Sequence, residues 1–176
     1  MILGKNGSGK STLLQIISGI TLPSEGEIEY SVSGNKLEAN SIYREVSYAA
    51  PYVELFEQLT LNEMLDVHKR FKTIRGQMSN DEIIERIYLE EHREKKIEVF
   101  SSGMKQRLKL ALAIYSESSL LLLDEPITNL DDAGKNWYLS SIEEFKGDRT
   151  IIVCSNHQSD EYAFCDHKYI LNANKD

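Results

Sequence analysis

The 176-residue sequence predicts an α/β fold with a mostly parallel sheet, a small antiparallel β portion and a helical subdomain inserted in the middle. Three observations carry that prediction. "GKNGSGKST" sets a glycine-rich turn and a lysine directly before a helical stretch. The runs Leu120–Leu123 and Ile151–Cys154 are continuously apolar, as in strands buried on both faces of a parallel sheet. Between these features, the apolar period becomes helical from Leu61 onward.

The elements follow in order. Thr12, Leu13, Leu14, Ile16 and Ile17 read as a helix closed by Gly19. In "TLPSEGEIEYSVSGNKL", Ile28, Tyr30 and Val32 share one face and Glu27, Glu29 and Ser31 the other, which predicts a half-exposed antiparallel strand. "REVSYAAP" is a short strand ending at Pro51. Leu61, Met64, Leu65 and His68 mark a helix. A second covers Asp81–Leu89, with Ile83, Ile84 and Ile87 inward and Glu82–Arg86 as an i,i+4 pair. The charged residues 90–98 read as a solvated connection. Met104, Leu108, Ala111, Leu112 and Tyr115 line a further helix. Its Lys105, Arg107 and Lys109 read as a solvated basic face, with Arg107 also suited to a buried structural pair. Asp132–Phe145 is a helix with acids in its first turn, where the macrodipole favours them. The expected division is a core of residues 1–52 and 117–176 around a helical subdomain of 53–116, all within one domain.

Composition narrows the function. A 41% apolar content is that of a globular chain, and the net charge of −8 argues against nucleic acid held by a basic face. No apolar run approaches the length of a membrane span. Cys154 and Cys165 lack metal-ligand spacing and read as buried free thiols. His68, His92 and His167 read as structural or exposed.

Two stretches carry chemistry. Gly4 to Ser11 fits G-x-x-x-x-G-K-S, the phosphate-binding loop of a P-loop NTPase core. Gly4, Asn6, Gly7, Ser8 and Gly9 let successive backbone N–H groups converge on a phosphate. Lys10 supplies a cation for the β- and γ-phosphates, Ser11 a hydroxyl for Mg²⁺, and Thr12 continues into the positive helix end. Asp124 and Glu125 follow the leucine run, at the carboxyl end of a buried strand where α/β sheets bind ligands. Asp124 is placed to orient Mg²⁺ and Glu125 to polarise an attacking water.

Over essentially its whole length the sequence resembles the nucleotide-binding subunit of an ATP-binding cassette (ABC) transporter. "GKNGSGKST" resembles its Walker A and "LLLLDEP" its Walker B. "FSSGMKQRL" (Phe100–Leu108) resembles the signature stretch, "TNLD" (Thr128–Asp131) the D-loop and "SNH" (155–157) the switch region. The resemblance implies ATP and Mg²⁺ as ligands, with Glu125 and His157 catalytic. It implies that Ser101, Ser102, Gly103 and Asp131 meet the nucleotide of a second subunit, in a homo- or heterodimer. It further implies a transmembrane permease subunit as partner, no nucleic acid, and a cytoplasmic place on the inner face of the cell membrane. Departures are Ser102 for a glycine, Met104 for a glutamine, and Pro51 where the family has a glutamine that touches Mg²⁺. Tyr52 and Glu54 are the candidates to replace that glutamine, while Gln58 is too far along. A non-transport ABC ATPase and a catalytically weak regulatory module are the competing readings. Only Met1, Ile2 and Leu3 precede the loop, so an N-terminally truncated cassette is expected. With it come an exposed or unpaired sheet edge near Leu3 and Ile28–Val32, and similar, weak binding of ATP and GTP.

Overall fold

The leucine run Leu120–Asp124 (β5) lies inside a parallel sheet, between Val46–Ala49 (β4) and Thr150–Ser155 (β6). The computed structural model describes residues 1–156 and 158–172. With Ile2–Leu3 (β1) and Tyr169–Ile170 (β7), the sheet order is β4-β5-β6-β1-β7. The run shows no alternation because both faces are covered. Leu121 and Leu123 face one apolar cluster, while Leu122 faces another with Leu14 and Cys154. The first cluster receives helices α5 (Ser102–Ile114) and α6 (Asp132–Phe145); the second receives α1 (Lys10–Ile17).

β1 corrects one expectation. It is not an unpaired edge but lies between β6 and β7, with Leu3 opposite both Ser155 and Ile170. The edge beyond it belongs to β7, whose Tyr169 and Ile170 are exposed. The antiparallel portion is the hairpin Ser31–Val32 (β2) and Asn35–Lys36 (β3), turned at Ser33 (φ 51°) and Gly34 (φ 80°). Two positive-φ residues give a turn whose twist suits a two-residue hairpin. Among the described residues the hairpin pairs only with itself, and its first strand is shorter than the expected Ile28–Val32. Tyr30 anchors it by donating to the carbonyls of Ile16 and Ile17 at the end of α1.

Ile42–Glu45 (α2) leads into β4. Beyond β4, Leu61–Phe71 (α3) and Asn80–Arg86 (α4) each begin with a capping box, Thr60 with Glu63 and Ser79 with Glu82. That box corrects the expected Glu82–Arg86 pair. Glu82 accepts from the Ser79 amide at 2.7 Å, and Arg86 instead reaches Glu144 of α6 at 2.9 Å. Residues 90–98 are not a solvated connection. They form short 3₁₀ turns, bury Ile97 completely and bond back to Leu59 and Leu61. The cations of α5 are also committed. Lys105 pairs with Glu57 at 2.5 Å, Arg107 bonds the Ile87 carbonyl, and Lys109 donates to the Pro51 carbonyl. Among the described residues, no helix is long and apolar enough to cross a membrane.

His68 is structural. It shares a 2.8 Å hydrogen bond with Ser116, and burial pushes its pKa down to about 4. His92 meets Phe100 edge-on, and His167 is exposed. Burial likewise pushes the Cys154 thiol up to about 12, away from reactivity, while Cys165 is only half-buried.

Candidate functional site

The phosphate loop leaves the centre of the sheet between β1 and α1. Gly4 can only be glycine, because a Cβ there would lie 2.5 Å from Ser8 Oγ and 2.7 Å from the Leu171 carbonyl. Gly7 (φ 78°) and Gly9 (φ 94°) take left-handed backbone that a larger residue would strain. Gly9 is the N-cap of α1, so the loop's amides lie at the positive end of that helix. Lys10 is buried. Its ammonium donates to the carbonyls of Gly4 (2.8 Å) and Lys5 (3.2 Å), and to Asn156 Oδ1 (2.8 Å).

The acidic pair sits at the carboxyl end of β5. Asp124 is 2% exposed; one oxygen accepts from the Tyr52 hydroxyl at 3.1 Å, and the other has no partner among the described residues. A buried carboxylate oxygen without a donor costs free energy unless something fills its lone pairs, and a hard cation does so. Ser8 Oγ is likewise buried without a partner. The residues therefore fit both a phosphate and Mg²⁺. Glu125 holds a positive φ of 43°, and its amide donates to the Cys154 carbonyl. Non-glycine residues held there are strained, and such strain collects at functional sites. Asn156 donates to Glu125 Oε1 while accepting from Lys10. The cation of the loop and the acid of β5 are thus joined through one amide.

Asn156 was missed by sequence reasoning, which stopped at the "SNH" pattern without giving the asparagine a role. His157 lies outside the described residues. In the loop after β4, Tyr52 reaches Asp124, whereas Pro51 contributes only its carbonyl, to Lys109. Burial raises the Tyr52 pKa, so its hydroxyl stays a neutral donor.

The signature residues stand elsewhere. Ser101 caps α5, its hydroxyl accepting from the Met104 amide at 3.2 Å, and Ser101 and Ser102 are exposed. A Cβ on Gly103 would lie 3.0 Å from the Asn129 carbonyl. Asp131 caps α6 through the Gly134 amide at 2.8 Å and lies 3.8 Å from Arg107. Buried Gln106 donates to the Pro126 carbonyl at 2.8 Å, tying the signature helix to the turn after Glu125. This second link was also missed, because a helical glutamine has no motif of its own.

Glu161 lies behind the site. It is fully buried, and neither carboxyl oxygen has a hydrogen-bond partner among the described residues. Burial, then Glu125 and Asp124, push its pKa up to about 7, while nearby Ser155 and the Ile127 amide pull it back. The unfolded value is near 4.5, so this group's contribution to stability is whole below that pH and is lost as pH rises through 7. Glu161→Gln is expected to gain about 1–3 kcal/mol over the parent at pH 8 and little at pH 5. Thermal melts at both pH values check it; a gap that does not widen with pH contradicts it.

Comparison with known proteins agrees with this geometry. A family model described as ABC transporter matches residues 1–128. An uncharacterised ABC transporter ATP-binding protein of Bacillus subtilis, YybJ, is 34% identical over 94% of this chain and 76% of its own length. Daunorubicin resistance ATP-binding protein DrrA3 of Streptomyces coeruleorubidus is 30% identical over 91% of this chain and 52% of its own. Two further Bacillus subtilis relatives are spanned over only 43% and 57% of their lengths, so the chain covers about half of several curated relatives. A dimeric ATP-binding cassette in a post-hydrolysis state, bound to ADP and Pi, superposes with a TM-score of 0.80 at 24% identity, over 99% of this chain and 82% of that one. An ATP-binding subunit of an ABC transporter gives 0.80 at 27% identity, over 98% and 75%.

Proposed function

This chain belongs to the ABC transporter family, and from that premise we propose that it binds and hydrolyses ATP as the energy-coupling subunit of a transporter. One observation carries the reading: Asn156 joins Lys10 of the phosphate loop to Glu125 at the end of β5. A cation for phosphate and an acid for water are then held in one hydrogen-bonded unit.

Each residue has a role in this reading. The amides of residues 4–12 and the Lys10 ammonium hold the β- and γ-phosphates. Ser11 and Asp124 would hold Mg²⁺, which supplies charge neutralisation on the phosphates. Tyr52 orients Asp124. Glu125 accepts a proton from the attacking water, and Asn156 keeps its carboxylate turned toward the loop. His157 is assigned to the transferring γ-phosphate on the family resemblance. Ser101, Ser102, Gly103 and Asp131 are assigned to the γ-phosphate side of a second copy or a paralogue, as the exposure of Ser101, Ser102 and Asp131 at the capped ends of α5 and α6 allows. The chain functions as a single ABC-type ATPase domain, whose helical segment 53–116 passes the state of the nucleotide to a membrane-embedded permease. Its place is then the cytoplasmic face of that membrane.

The two-chain assignment has its own test. Ser101→Arg puts a long cation at the exposed signature and leaves residues 4–12 alone. It is expected to keep ATP affinity within about twofold and to lose ATP-dependent dimerisation. Calorimetry and light scattering with Mg-ATP read the two effects separately. A variant that dimerises normally refutes the trans role of Ser101.

A further inference from the structure

A second charged cavity opens at the other end of the sheet. Its volume is about 670 Å³, and it lies where α2 and the end of α3 meet the turn leading into β5. Arg44, Lys69, Arg70, Lys72 and Arg75 line it, against two carboxylates, Glu45 and Glu117. This concentration of positive charge stands out on a chain of net charge −8.

Among the described residues, none of the five cations forms an ion pair within 4.0 Å. Arg44 donates to the Tyr43 hydroxyl, and three of the others donate to backbone carbonyls. Lys69 bonds Met78, Lys72 bonds Arg44 and Val46, and Arg75 bonds Ser116 and Ser118. Glu45 is engaged by the Ser119 hydroxyl at 2.5 Å. The positive charge is therefore positioned and only partly offset, by Glu45 at Lys72 and by Asp66 and Glu82 at Lys69. Burial pushes Lys72 down to about 8, with Glu45 only partly opposing it. Beneath the cavity, burial and then the charge of Arg75 push Arg149 down to about 10. Ser118, which lines the cavity, is 8% exposed, and its hydroxyl has no hydrogen-bond partner among the described residues.

We propose that this cavity is a binding site for a phosphate-bearing anion, separate from the nucleotide site. Arginine forks, lysine ammoniums and an unsatisfied serine hydroxyl are the donor set that recognises phosphoryl oxygens. The volume accommodates more than a bare phosphate, and exposed Tyr43 and Phe71 give it an aromatic rim suited to an attached organic group. The cavity's lining ends at Ser119, the residue before β5, whereas Asp124 closes that strand, roughly 16 Å away at strand rise. An anion bound here leaves the phosphate loop free.

The test titrates inorganic pyrophosphate by calorimetry into the Lys10→Ala chain, in which the phosphate loop competes more weakly. In parallel, that chain is sedimented with phosphatidylglycerol vesicles, against phosphatidylcholine vesicles. Arg70→Glu is the principal variant, since Arg70 is exposed and its side chain makes no hydrogen bond or ion pair among the described residues, with circular dichroism to verify folding; Lys72→Gln is the second. Pyrophosphate binding that Arg70→Glu weakens at least about tenfold supports the site with a soluble ligand. Vesicle binding that Arg70→Glu abolishes, without pyrophosphate binding, supports the same chemistry presented by a lipid headgroup. No binding in either arm, or binding that Arg70→Glu leaves unchanged, overturns the proposal.

Discussion

Glu125→Gln is expected to slow ATP hydrolysis about 100-fold or more, with nucleotide affinity nearly unchanged. A general base typically contributes about 10²–10⁴ in rate. The amide keeps the size and the hydrogen-bonding reach of the carboxylate but cannot take a proton. Glu125 contacts Asn156 and not the loop backbone, so its loss leaves the phosphate cradle in place. With hydrolysis blocked, the ATP-bound dimer should accumulate. Phosphate release measured beside size-exclusion chromatography in Mg-ATP checks both halves. Hydrolysis at the parent rate removes Glu125 from the mechanism.

Lys10→Ala should act at the earlier step. It removes a buried ammonium held within 3.2 Å of the carbonyls of Gly4 and Lys5, at the mouth of the loop. Hydrogen bonds to charged groups contribute about 1.5–3 kcal/mol each. One such bond to phosphate corresponds to a loss of roughly 10- to 150-fold in ATP affinity. A calorimetric titration, with circular dichroism to verify folding, gives the answer; unchanged affinity would refute the phosphate-loop assignment. The contrast between the two variants separates binding from chemistry.

What the sequence made legible was local. The phosphate loop is contiguous and its glycines are demanded by backbone geometry. The leucine run declared a strand covered on both faces, and the apolar spacing from Leu61 and around Ile83 declared α3 and α4, whose capping boxes at Thr60 and Ser79 came only with the structure. What stayed hidden depends on residues distant in the chain. β1 has two residues, too few for a pattern, and its central place comes from pairing with β6 and β7, more than 150 positions away. Arg86 passed over the acid one turn back because Ser79 already held it, and took Glu144 from α6. Residues 90–98 look solvated by charge count, yet buried Ile97 and backbone bonds to Glu57, Leu59, Leu61 and Asn62 fasten them to the core. In the site, Asp124 and Glu125 were readable from their strand. Tyr52 was one of two candidates in its loop, and its contact with Asp124 decides between them; Asn156 was not readable, because its role arises only when β5, β6 and α1 converge.

The central claim is an ATP site completed by two chains, one supplying Lys10 and Glu125 and the other Ser101. It is tested most directly by phosphate release from saturating Mg-ATP across a range of protein concentrations. The account predicts that activity per chain rises with concentration while the dimer is scarce, and then levels off. Activity per chain that is constant over the whole range, or no release at any concentration, would contradict it.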